Sequence, residues 1–251
     1  MTSSQRRRLP RLGAGLATAL VLVGCGGGDS EEAASSSAAT SSAEESSAEE
    51  PASDLAQGLL PAEAFGPDAT VTAVSPDQLE LGAGVVAGQD VQVEPESCRA
   101  SVESTQPDLT EFDDVAAQSA SAGSVATVEM LLRGGPTDDV AALLREAAER
   151  CPQATITSPQ FGEATLTFEN LPVDELGDGA ALARLTTAVA APDGSQVSVP
   201  TLIGMVEDDD RLLVLVTVVV DPTAGEGAGT DPAEFAALLE QAYETQADAL
   251  G

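Results

Sequence analysis

From residue 69 onward, short runs mixing β-branched with other apolar residues alternate with Gly, Pro and Asp punctuation, the pattern of strands separated by turns. The first three runs are ATVTAV (Ala69 to Val74), QLELGAGVV (Gln78 to Val86) and SVATVEMLLR (Ser124 to Arg133). A helix then starts at Thr137, which suits an N-cap, with Asp138 and Asp139 in the first turn, where the helix dipole favours acids. Val140, Leu143, Leu144, Ala147 and Cys151 fall on one face of it, which points Cys151 inward. Further strands are predicted at ATLTFE (Ala164 to Glu169), ALARLTTAVA (Ala181 to Ala190) and QVSVPTLIGMVE (Gln196 to Glu207). Asp208, Asp209 and Asp210 read as a turn into RLLVLVTVVV (Arg211 to Val220). That run is apolar on both alternating faces, which puts it in the middle of a sheet covered on at least one side. Asp231-Pro232-Ala233-Glu234 joins an N-cap, a proline at N1 and a glutamate at N3, and opens a final helix with Phe235, Leu238, Leu239 and Ala242 on its apolar side. The helical stretches VAALLREA (Val140 to Ala147) and FAALLEQA (Phe235 to Ala242) are alike, by internal duplication or by chance in an alanine-rich chain. Roughly 200 residues from Leu55 to Gly251 suffice for one α+β domain with a sizeable core.

The hydropathy pattern changes upstream. Gly26 to Ser53 consists almost entirely of Gly, Ser, Ala, Glu, Asp and Thr, with no aliphatic side chain larger than alanine. It buries too little apolar surface to offset the entropy of ordering, so residues 25–54 read as a disordered acidic tether whose serines and threonines also suit O-glycosylation. Before it, Arg6, Arg7, Arg8 and Arg11 precede an apolar run from Leu12 to Val23, the layout of a secretory signal peptide. The run is too short to span a bilayer, which takes about 20 apolar residues. Adjacent arginines hint at twin-arginine export, although Leu9 and Pro10 fit that pattern poorly. Leu22-Val23-Gly24-Cys25 resembles a bacterial lipobox. It implies removal of residues 1–24, lipidation of Cys25 as the first mature residue, and anchoring on the extracytoplasmic face of the cell membrane. The competing reading is an ordinary signal with a chance cysteine. Two or three acyl chains anchor a soluble domain stably, so the membrane is a partner through the lipid alone.

Charge and residue inventory then exclude whole classes of chemistry. The chain has 10 basic residues, all arginine, against 42 acids. Removing residues 1–24 takes away four arginines and no acid, leaving six against 42, an excess of 36 negative charges. Such a chain repels phosphate backbones, so nucleic acid is not a partner. The absence of histidine removes the usual general base, the Ser-His-Asp triad and imidazole metal ligands. The absence of lysine removes Schiff-base chemistry and the P-loop. Carboxylate chemistry survives, but among 42 acids a pair can always be found, so no catalytic residue is assigned and no enzyme activity or cofactor is expected. The acid clusters Asp138-Asp139 and Glu207 to Asp210 lack the alternation and turn glycine of a calcium loop and read as helix cap and hairpin turn. Arg133, Arg184 and Arg211 lie in or beside strands, where each either faces a pocket or pairs with an acid, pairing being favoured by the number of acids. With Cys25 committed to lipid, Cys98 and Cys151 are the remaining thiols of an exported domain and are expected to form a disulfide. Two cysteines without histidine make a poor zinc shell, so no metal site is assigned.

The order of these features resembles a known family. GLLPAEAF (Gly58 to Phe65), a Pro-x-x-Cys element (Pro95 to Cys98) and a helix ending in cysteine (Leu143 to Cys151) are similar to the PknH-like extracellular domain. That family comprises the external sensor domain of a mycobacterial serine/threonine kinase and many free actinobacterial lipoproteins. The resemblance runs from about Leu55 to Leu250, and Cys98 and Cys151 match the family's first cysteine pair. It implies a mainly antiparallel sheet with helices packed on it and a cleft for an unidentified ligand. The expected function is therefore a non-catalytic surface lipoprotein with a ligand-binding or sensor-like domain, its ligand residues unassigned. The alternative is an accessory lipoprotein docking onto an envelope protein complex. An apolar cleft with a few inward polar groups would favour the first, an exposed apolar patch on a flat face the second.

Overall fold

The computed structural model describes residues 54–83, 91–103, 105, 107–158, 162–190, 196–221 and 229–251. The chain divides into two units, Met1–Ser47 and Ala48–Gly251, and every described residue belongs to the second. The expected signal peptide, Cys25 and the expected tether as far as Ser53 lie outside the described residues.

The strands are β1 (Thr70–Ala73), β2 (Gln92–Glu94), β3 (Asp114–Ala122), β4 (Val125–Arg133), β5 (Gln153–Ser158), β6 (Gly162–Leu171), β7 (Gly179–Ala190), β8 (Gln196–Asp208) and β9 (Arg211–Val219). The helices are α1 (Pro76–Ala83), α2 (Arg99–Glu103), α3 (Val140–Arg150) and α4 (Pro232–Leu250). The strands form one open sheet in the order β1-β3-β4-β9-β8-β7-β6-β5-β2, every pair antiparallel, which makes the fold α+β. As the doubly apolar sequence of β9 demands, it lies inside the sheet between β4 and β8, with Leu212, Leu213, Val214 and Leu215 wholly buried.

Side-chain alternation divides the core into two layers. On one face Leu131, Leu182, Leu202, Leu213 and Leu215 pack under Phe235, Leu239 and Ala242 of α4 and under Leu55 and Leu60 of an N-terminal strap, residues 54–65, built of two 3-10 turns. On the other face Leu132, Ala181, Ile203, Met205, Leu212 and Val214 meet Ala141 and Leu144 of α3. Toward β5 and β2 that second layer continues into Ala148, Cys151, Cys98, Ile156, Leu166 and Phe168. α4 comes so close to β8 that a Cβ on Gly204 would lie 2.8 Å from Leu239 Cδ2 and 3.1 Å from Phe235 Cε1, which is why a glycine interrupts this apolar strand. Because α3 and α4 lie on opposite faces, their similar sequences do not reflect one repeated packing arrangement.

Several elements differ from the sequence reading. The run at Gln78 to Val86 is not a strand: its described part belongs to α1, while residues 84–86 lie outside the described residues. The reason is a capping box at Ser75-Pro76-Asp77-Gln78, where Gln78 N–H donates to Ser75 Oγ at 3.3 Å and Ser75 N–H to Gln78 Oε1 at 2.9 Å, with proline at N1. β3 has the sequence DVAAQSASA, whose single β-branched residue gave no strand signal. Pairing makes it a strand, through a two-residue turn at Gly123 (φ 59°) that sets Ala122 opposite Val125. In α3, Leu143 is 43% exposed, because the buried stripe runs through Ala141, Leu144, Ala147 and Ala148 and Leu143 is turned about 100° from Leu144. Thr137 does not cap α3, and Asp138 and Asp139 precede it: the helix begins at Val140, Thr137 Oγ1 donates to Asp209 O at 3.1 Å, and Asp139 sits at the cap with φ 64° and no side-chain cap. A distant residue supplies the acceptor instead, since Ala141 N–H donates to Glu207 Oε1 at 2.6 Å.

Candidate functional site

The residues singled out in the sequence have structural partners. Arg133 Nη2 pairs with Asp54 Oδ1 at 2.6 Å and Asp114 Oδ2 at 2.7 Å, Arg184 with Glu169 at 2.7 Å, and Arg211 with Asp208 at 2.6 Å. The hydrogen bond from Arg133 holds the Asp54 carboxyl below the usual carboxylate range. Register explains the grouping: Asp114 is opposite Arg133, Arg133 opposite Arg211, and Arg211 opposite Asp208, so four strands lay an acid, two arginines and an acid side by side. Gln246 of α4 closes the row, donating from Nε2 to Asp208 Oδ2 at 3.3 Å. In the Glu207 to Asp210 cluster, Glu207 caps α3, Asp208 holds Arg211, and Asp209, at φ 53°, begins the β8–β9 turn and donates its N–H to Asp178 Oδ2 at 2.9 Å. Among the described residues no three His, Cys, Asp or Glu side chains are grouped to hold a metal ion. Cys98 and Cys151 stand at disulfide distance, Cα atoms 5.4 Å apart, both buried at the C-terminal end of α3.

The site that sequence reasoning missed lies on the α4 face of the β3–β4 hairpin. Successive cross-strand pairs on that face are Ala122 with Val125, Ala120 with Thr127, and Gln118 with Glu129. The two outer pairs floor a groove of about 520 Å³, whose walls include Leu238 and Gln241 of α4 and Phe65 of the strap, with Glu234 also lining it. Its lining is mostly alanine, valine, leucine and phenylalanine with a few polar groups, in the size range of small-molecule sites. Thr127 bonds through its hydroxyl to Thr217 of β9 at 3.0 Å.

One pair further in, the strap covers a carboxyl. Glu129 is wholly buried, and Leu60 N–H donates to both of its oxygens at 3.1 Å while Gln118 Nε2 donates to Oε2 at 2.7 Å and to Leu60 O at 2.8 Å. Burial pushes this carboxyl up to about 7, the two donors offsetting only part of the desolvation cost. The sequence held a faint signal for it, an acid inside the apolar run VATVEMLLR. β4 alternates, however, with Ala126, Val128, Met130 and Leu132 all apolar and Glu129 sharing the other parity with Thr127 and Arg133, so the pattern places the acid on the more polar face and carries no sign that the strap buries it.

Two further cavities flank the β6–β7 connection. One, of about 490 Å³, lies between Pro172, Val173 and Leu176 and the N-terminal half of α4; the other, of about 600 Å³, lies on residues 170–182 beside Arg145. Arg145 is held there by its own bond to Ala180 O at 2.7 Å.

No family model matches the chain, and no curated protein matches it in sequence. Solved structures similar to it include a putative uncharacterized protein of Mycobacterium smegmatis, the Rv0999 ortholog, at 15% identity and TM-score 0.44, over 80% of this chain and 96% of that one. They also include the extracellular domain of PknH from Mycobacterium tuberculosis, at 12% identity and TM-score 0.42, over 74% of this chain and 93% of that one.

Proposed function

We propose that this protein is a non-catalytic, extracytoplasmic lipoprotein, tethered through Cys25 with its Cys98–Cys151 pair oxidised, and that its folded domain binds a small ligand in the groove beneath α4. The observation that carries the reading is the groove itself: a recess of about 520 Å³ between α4, the strap and the β3–β4 hairpin, mostly apolar with polar groups at Thr127, Thr230, Glu234 and Gln241. Binding rather than catalysis fits the chemistry around it, because the carboxyl nearest its inner end, Glu129, is sealed beneath Leu60 and held by two donors. Native mass spectrometry of the protein purified from its own envelope tests the reading. A co-purifying small molecule released by substitutions in the groove is the expected result; a protein that never carries one, with the groove intact, counts against it. The anchor is tested separately by Cys25→Ser, which is expected to move the protein from the membrane fraction to the medium.

A docking role draws its support from the opposite face. There Val128, Met130, Val216 and Val218 form a half-buried apolar strip on β4 and β9. Crosslinking in intact cells separates the two readings, since a partner protein captured at Val128 or Val218 would favour docking.

A further inference from the structure

The charge around the groove narrows what it accepts. We propose that the groove takes a cationic amphiphile, an apolar chain ending in an ammonium group, with the chain lying along the β3–β4 hairpin. The inference rests on the reading of this groove as the ligand site and adds the ligand's charge to it.

The apolar part follows from the floor and walls. Ala120, Ala122 and Val125 leave room above the hairpin because two of the three are alanines, and Leu238 and Phe65 enclose it from α4 and from the strap. The small side chains that hid β3 from sequence analysis thus create the recess. A slot of this shape suits a flexible chain better than a flat polar ring, since there is neither a tryptophan nor a tyrosine in the lining to stack on.

The cationic part follows from what surrounds the slot. Among the described residues none that lines it is basic, whereas Glu234 does line it. Beyond its inner end the next cross-strand pair holds the Glu129 carboxyl, sealed beneath Leu60 with the Leu60 amide and the Gln118 side chain as its donors, so no basic group stands there either. The six mature arginines lie elsewhere in the sequence, and those at 133, 184 and 211 are each committed to an acid. An anionic head group would therefore meet Glu234 and no counter-charge in the lining, within a strongly negative domain. A cationic head is drawn in by the same field. Besides the Glu234 carboxylate, the Thr127 and Thr230 hydroxyls and the Gln241 amide oxygen are acceptors in the lining for an ammonium group.

The test compares three probes of equal chain length, decylammonium, decanol and decanoate, each below the concentration at which it aggregates. They are titrated against the isotope-labelled Cys25→Ser chain at physiological salt, where the Debye length of about 8 Å suppresses long-range attraction. Binding is read from the amide shifts of Ala120, Ala122 and Val125. Decylammonium is expected to bind saturably and about tenfold or more tighter than decanoate, with decanol between. Ala122→Phe, which fills the slot without altering charge, is expected to weaken decylammonium about tenfold, and Glu234→Gln about threefold. If Ala122→Phe does not fold, Ala237→Phe on the exposed side of α4 replaces it. Decanol or decanoate binding as tightly as decylammonium, in a manner abolished by the filled slot, would overturn the cationic assignment and leave the groove reading standing. Failure of all three probes to bind, or binding indifferent to the filled slot, would overturn the groove reading itself.

Discussion

The two faces of the sheet are built from different materials. The α3 face has an aliphatic centre, with Leu132, Ile203, Met205, Leu212 and Val214 against Ala141 and Leu144, and its far end gathers around Cys98 and Cys151 with small buried hydroxyls such as Ser101 and Ser158. The α4 face has an equally apolar centre, but it also buries Gln118, Glu129, Thr127, Thr217, Arg211 and Gln246. Burying polar groups costs free energy that their hydrogen bonds only partly return, so a face that carries six of them is not optimised for stability alone. Both faces have an apolar centre, and the α4 face differs in its larger and charged buried groups, its recess and its covered carboxyl.

This contrast can be broken most forcefully at the cysteines. Cys98→Ala is expected to lower stability by about 4 kcal/mol, because the pair closes a loop with a sequence separation of 53 on the α3 face. Denaturant unfolding of the variant and of the reduced wild type measures it, and an unchanged midpoint would mean that the α3 face does not depend on the link.

Glu129 comes next. Its folded carboxyl titrates near 7, above the ordinary 4.5, so the folded state binds the proton more tightly than the unfolded one. The resulting stability is fully present below pH 4.5 and is lost as pH rises through 7, a span of about 3 kcal/mol. Thermal unfolding between pH 5 and 8 is expected to show that decline in the wild type and a flatter profile in Glu129→Gln. Equal slopes would show that the covered carboxyl does not titrate in this range.

A smaller effect sharpens the comparison from the α4 side. Gly204→Ala places a methyl against Leu239 and Phe235 and is expected to cost about 1–3 kcal/mol unless α4 shifts outward. An outward shift would widen the groove, so the same variant is expected to alter decylammonium affinity as well as the melting temperature. Smallest of all is Arg184→Ala, which removes an ion pair whose side chains are 33% and 55% exposed. It is expected to cost less than about 1 kcal/mol.

How much of this was legible in the sequence depended on where apolar contrast existed. β4, β6, β7, β8 and β9 are rich in Val, Leu, Ile and Thr, and both the hairpin turn at Asp209-Asp210 and the cap at Asp231, whose Oδ1 accepts from Ala233 N–H at 2.8 Å, carried their own chemistry. β3 was hidden because alanine, serine and glutamine show little difference between inward and outward positions, and tertiary pairing makes it a strand, whereas β5 carried the β-branched signal Thr155-Ile156-Thr157 in a run of only six residues. α1 was misread because leucines and valines outweighed the capping box at Ser75 and Gln78. The arginines were legible as ion-pair residues on numbers alone. The groove was not, because it exists only where α4, the strap and the hairpin meet, and those contacts span more than a hundred residues of sequence.

The strands at the two ends of the sheet have a consequence for how copies of this protein behave at high density. β1 has four residues and β2 three, against nine to thirteen in the central strands, and prolines at 76 and 95 follow closely after each. A neighbouring chain seeking to extend the sheet would find only a few free amides and carbonyls before meeting a residue that cannot donate a bond. Copies crowded together therefore find little template at either edge for strand-by-strand polymerisation, apolar as the sheet is.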